Sequence, residues 1–287
     1  MRVIVLKVCA TVGAISTFGT GRADAGSGDG PRLKRNLVLD RDVIEARTAL
    51  HLGLTKNARS VAPLSLDLGG ALSLFDHFEI GLGVGLSIVD KRGSLSGATI
   101  LTGTGADDRA ANSGYNTEPP HLYALYQFGD WGHGAGIVGV RLDLRFPSGS
   151  SNDVDASGYA GSKLGFAVSI PTRFKLADLF GFDLAVGFAL TLTDPESTKT
   201  LWLAVTPTIQ ATDDLYFAVT ATLTLKAAAD LFSATAFDVG LSMQVGVQLS
   251  PRVDWYLAFA FTDLNPVAGS SIDGRSLWTG LNFRFGL

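Results

Sequence analysis

From about Val43 to Leu287 the chain alternates apolar with small or polar residues at every second position. Ile80, Leu82, Val84, Leu86 and Ile88 interleave with Gly81, Gly83, Gly85 and Ser87. Phe180, Phe182, Leu184, Val186, Phe188, Leu190 and Leu192 interleave with Gly181, Asp183, Ala185, Gly187, Ala189 and Thr191. Successive side chains of a strand point to opposite faces, so this period predicts β-strands. About twelve such stretches follow one another, near residues 44–54, 64–75, 78–89, 121–128, 134–146, 162–174, 180–193, 201–210, 215–226, 235–249, 253–261 and 276–285. The breaks between them are alternately long and short, and the longest is Asp90 to Pro120.

The second face of these strands decides their surroundings. A soluble sheet charges the face it turns to water, whereas here that row reads Ala218, Thr220, Thr222 and Thr224. Large aromatics gather beside the short breaks: Phe75, Phe78, Phe128, Trp131, Phe174, Phe180, Tyr216, Phe217, Trp255, Tyr256, Phe283 and Phe285. Amphipathic rings at one level form a girdle where headgroups meet hydrocarbon. The expected fold is all-β: a transmembrane, antiparallel, up-and-down β-barrel with leucine rows toward lipid and glycine, alanine and threonine around water. Closure leaves no unpaired backbone edge facing hydrocarbon. The even strand count puts both ends of the barrel on the short-turn side, which in such barrels is periplasmic. A soluble all-β protein is the competing reading.

The first 25 residues read as a secretory signal peptide: Arg2 and Lys7, a short apolar stretch from Val8 to Phe18, then Ala23-Asp24-Ala25. That stretch is too short to cross a bilayer core of about 30 Å as a helix. Residues 26–42 lack a strand pattern and are expected to form a periplasmic lead-in. A basic segment tucked into the lumen, using Arg32, Lys34 and Arg35, is the alternative. Residues 43–287 make the barrel.

Net charge is −4, and cleavage removes three positive charges (Arg2, Lys7, Arg22) and one negative (Asp24), leaving −6. An acidic chain excludes a general nucleic-acid partner. The single cysteine, Cys9, falls in the signal, so no disulfide, thiol nucleophile or cysteine metal site is expected in the mature chain. Asn152-Asp153-Val154-Asp155 carries oxygen ligands but reads as a solvated loop, and Gly103-Thr104-Gly105 precedes no helix that would hold phosphate. No cofactor or metal is expected.

Charges on the inner rows carry the functional reading. Glu45, Arg47 and His51 face inward on the first strand. Arg284 should lie between Asp254 and Glu45, Arg173 should face Asp183 across a short turn, and Lys226 should face Asp238 across an outer loop. Arg141, Arg145 and Lys163 should cluster toward the outer mouth with only Asp143 among them, and cations on a pore wall draw anions.

The last strand, Gly280-Leu281-Asn282-Phe283-Arg284-Phe285, resembles the C-terminal signal of outer-membrane barrels, although Gly286 and Leu287 follow the usual terminal phenylalanine. As a whole the barrel region resembles Gram-negative outer-membrane barrels of the porin and transporter type. The hairpin Ala71 to Leu82 resembles those of uncharacterised barrels from myxobacteria and their relatives. The resemblance implies an outer-membrane location, lipid and the barrel-insertion machinery as partners, a monomer, and passive passage of a small polar or anionic solute. Outer-membrane phospholipases share the strand number. Their histidine and serine lie two apart on one strand face, however, and none of His51, His77, His121 or His133 has a serine two residues on. A channel rather than an enzyme is therefore expected, with Asp90 to Pro120 as lid or constriction. The rival is a non-conducting barrel whose outer loops bind a partner.

Overall fold

The computed structural model describes residues 31–54, 64–89, 99–100, 120–131, 136–146, 164–192, 198–227, 236–261 and 275–287. Twelve long strands form the wall: β1 (Val43–Gly53), β2 (Leu64–Phe75), β3 (Phe78–Val89), β4 (His121–Trp131), β5 (Gly136–Arg145), β6 (Gly165–Lys175), β7 (Phe180–Thr191), β8 (Thr198–Gln210), β9 (Leu215–Ala227), β10 (Ala236–Ser250), β11 (Val253–Phe261) and β12 (Arg275–Gly286). A two-residue strand, Thr99–Ile100, adds to β3 beside Leu86 and Ser87.

Every wall strand pairs antiparallel with its sequence neighbours, and β12 closes on β1 from Val43↔Gly286 to Gly53↔Ser276. The closed barrel was legible in the alternation, and the observed strand bounds lie within three residues of those read from it. The β3–β4 seam is the shortest, running only from Phe78↔Tyr126 to Gly83↔His121. Short turns cluster at the end where the chain enters and leaves the wall. Asp42 and His77 adopt left-handed backbone there, with φ of 62° and 69°, and the Leu287 amide donates to the Asp42 carbonyl at 2.8 Å.

The outer face is apolar and uncovered: Leu82, Leu142, Ile170 and Ile209 are each more than half exposed. Ala71, Ala218, Ala258 and Ala260 are buried on the inner face. Large exposed side chains encircling the barrel would drive association in water, and in a bilayer they match the solvent.

Two members of the anticipated girdle turn the other way. Tyr216 is buried and its hydroxyl accepts from Gln244 Nε2 at 2.8 Å, while Tyr256 lies against Gly280 on the inner face. The reason is period two: Phe217 and Trp255 take the outward positions, so their neighbours must face in. Inner glycines make room for aromatic rings. Gly81, Gly187, Gly246 and Gly280 pair directly with Tyr123, Trp202, Tyr216 and Tyr256 of the adjacent strand. In each pair the ring occupies the space a Cβ would need, so the missing side chain lets an aromatic lie flat on the wall.

Candidate functional site

Inside the barrel is a cavity of about 470 Å³ with a polar, arginine-rich lining. Part of that lining does not come from the wall. Arg32, Arg35, Asn36, Leu37, Val38 and Leu39, all preceding β1, contribute to it. Of the two readings of residues 26–42, the described part follows the basic segment tucked into the lumen rather than the periplasmic lead-in: Arg32 and Arg35 to Leu39 reach the cavity, while Arg41 and Asp42 stay exposed at the short-turn end. A single turn of 3₁₀ helix, Arg32–Lys34, opens it. Leu33 is 3 % exposed and Val38 6 %. Leu33 packs on Gly181 and Leu37 on Gly139. Val38 joins Ala71, Tyr123 and Leu125 in an apolar cluster flanked by Leu37 and Leu39. Burying these side chains supplies the drive, and inner glycines leave the room. The signal in the sequence was the set Leu33, Leu37, Val38 and Leu39 embedded among arginines, too short to register as a strand.

Polar contacts pin the segment to opposite walls. Arg32 Nη2 lies 3.3 Å from Asp183 Oδ2 on β7, and its guanidinium stands 4.9 Å from the centroid of the Tyr216 ring. Arg173 on β6 grips Asp183 at 2.7 and 3.0 Å and donates to the Arg35 carbonyl at 2.9 Å. Arg35 bonds Asp254 on β11 twice, at 2.6 and 3.1 Å. The Leu37 amide donates to Gln127 Oε1 on β4 at 2.9 Å and the Leu39 amide to Glu79 Oε2 on β3 at 2.8 Å.

Asp254 also receives Arg284 Nη2, whose Nε bonds Glu45 Oε2 at 2.9 Å. Arg47 Nε bonds Glu45 Oε1 at 2.5 Å and approaches Glu79 at 3.8 Å, and Glu79 Oε1 accepts from the Tyr123 hydroxyl at 2.6 Å. Signs alternate along this chain of groups, and each carboxylate serves two cations or one cation and neutral donors. Such sharing offsets the cost of removing these charges from water. Arg284 sits between Asp254 and Glu45, and Arg173 faces Asp183, as their strand positions require. Glu79 and Gln127 were missed as members of this network, and the alternative that put Arg32 and Arg35 in the lumen named no partners for them, because only the folded-in segment brings these groups together.

Arg141 shows the limit of counting charges. Its Nε and Nη2 clasp Asp143 at 2.7–3.1 Å from two positions along the same strand face, and its guanidinium stacks 4.0 Å over Tyr123. Arg145 continues that row on β5. Lys163, all of the expected lid from Asp90 to Pro120 except Thr99, Ile100 and Pro120, Asn152 to Asp155 and the signal region lie outside the described residues. In the β9–β10 register Asp238 pairs with Thr224 and Lys226 with Ala236, so the two charged positions are diagonal rather than opposite. His51 is buried with its ring 5.8 Å from that of Trp278.

The cavity's charge divides between two sources. From the wall come Arg47, Arg141, Arg173 and Arg284 against Glu45, Asp67, Glu79 and Asp254, and beside them Asp143 and Asp183, which clasp Arg141 and Arg173. The inserted segment adds Arg32 and Arg35.

No protein-family model matches the sequence, and no curated protein matches it. Among solved structures the fold is similar to an outer-membrane channel from Pseudomonas putida F1, with TM-score 0.53 and 12 % identity over 93 % of this chain and 100 % of that one. It is also similar to the NanC porin, with TM-score 0.51 and 9 % identity over 84 % of this chain and 98 % of that one. At such identities the likeness is one of fold, and that fold is the porin-type outer-membrane barrel.

Proposed function

We propose that this protein is an outer-membrane channel that passes small polar or anionic solutes passively, working as a monomer. A closed wall with an apolar exterior fits a bilayer, and the last strand offers the insertion machinery its aromatic pattern. The observation that carries the solute preference is the arginine-rich lining of the cavity, to which the inserted segment adds Arg32 and Arg35. Arginines on a pore wall draw anions. Planar-bilayer recordings under a salt gradient test this: the expected reversal potential has the sign of anion preference. A cation-preferring open channel would overturn the solute assignment.

The second reading, a non-conducting barrel that acts through its outer loops, gains weight from one feature, the segment that crosses the lumen. Conductance of the purified protein decides between them.

A further inference from the structure

We propose that Pro31 to Asp42 is the selectivity filter of this channel, a built-in plug that narrows the periplasmic end and supplies its charge preference. The proposal rests on the channel reading and locates its selectivity in a segment outside the wall. Three observations converge on it.

The first is placement. The segment touches β7 through Arg32, β11 through Arg35, β4 through Leu37 and β3 through Leu39. β7 and β11 are four strands apart in the wall order, as are β7 and β3. Any solute leaving through the short-turn end must pass the gap the segment leaves.

The second is charge. Among the described residues the wall sets Arg47, Arg141, Arg173 and Arg284 against Glu45, Asp67, Glu79, Asp254, Asp143 and Asp183, so by formal charge the naked wall is acidic. Arg32 and Arg35 of the segment offset that excess and shift the balance toward anions. They are held in place by Asp183 and Asp254, which are themselves already bonded to Arg173 and Arg284. Each of these acids is thus shared between one arginine of the wall and one of the plug.

The third is how the segment is attached. Its grip combines two ion pairs and two backbone amides donated to side chains of the wall with apolar packing of Leu33, Leu37 and Val38. No barrel rung depends on Pro31 to Arg41, since β1 begins at Val43. The wall's own ladders therefore remain when the plug is altered, and the two functions can be separated by mutation.

The test uses the full mature chain, a deletion of residues 31–41, and the double variant Arg32→Gln/Arg35→Gln, each recorded in planar bilayers under a potassium chloride gradient. The expected result is a several-fold rise in single-channel conductance and loss of anion preference on deletion. The double variant should move the reversal potential toward zero with a smaller change in conductance. If the deletion fails to give a heat-modifiable barrel on gels, the double variant decides by itself: a reversal potential equal to the parent's overturns the filter. A deletion channel with unchanged conductance and unchanged preference would overturn the plug and leave the channel reading intact. Closed traces from all three proteins would overturn both.

Discussion

Arg35 and Asp254, 219 positions apart in the chain, form a doubly bonded ion pair inside the barrel. Asp254 stands beside the short-turn end of β11, and Arg35 belongs to no strand at all. Because Arg284 shares the same carboxylate, one side chain fastens the plug and also the closing region of the wall.

Asp254→Asn removes the charge that answers two cations in a place where its own side chain is 9 % exposed. Stripping one partner from a buried pair costs about 3–5 kcal/mol. Urea unfolding of the vesicle-inserted barrel should show that loss, and limited trypsin digestion should cut after Arg35 faster than in the parent. Unchanged stability and unchanged cleavage would mean the pair contributes nothing to either.

Gly246 and Tyr216 should behave as one unit. A methyl at Gly246 overlaps the tyrosine ring, which is also tied to Gln244. Overpacking of this kind costs about 1–3 kcal/mol. Gly246→Ala should destabilise the barrel in the Tyr216 background and far less in a Tyr216→Ala background. A double-mutant cycle reads the coupling, expected at about 0.5–3 kcal/mol; strict additivity would contradict the packing.

The direction of the rows can be tested with one charge placed on each face. Leu142 is 56 % exposed on the outer face of β5, whereas Ser242 lines the cavity. Arginine near the bilayer midplane costs about 2–4 kcal/mol, so Leu142→Arg should lower folding free energy into lipid vesicles by that order and Ser242→Arg by much less. Equal penalties would argue that the outer face does not meet hydrocarbon.

Asp178, in the turn after β6, is held below the ordinary aspartate range by its hydrogen bond from Lys175, whose Nζ lies 2.8 Å away, with Lys34 of the plug adding attraction. A depressed carboxyl contributes stability above its unfolded pKa and loses it as pH falls through the folded pKa. The carbon-13 titration of Asp178 in detergent should therefore have a low midpoint that rises in Lys175→Ala. A midpoint that ignores this substitution would remove the pair from the account.

The amino-acid order alone determined the wall. Period two, the length of each run and the neutral second face specify strands, their number and which side meets lipid, because a one-residue slip would turn every leucine inward. It also placed Arg284 near Glu45 and Asp254, and Arg173 near Asp183, since an antiparallel register converts sequence distance from a turn into spatial neighbourhood. Only the tertiary structure decided that Tyr216 and Tyr256 lie on glycines inside, that Arg141 is matched by Asp143 and Tyr123, and that Arg32 and Arg35 reach opposite walls. A segment without periodicity carries no register, so where it comes to rest depends on the shape, the glycine gaps and the carboxylates of a cavity that exists only once the barrel has closed.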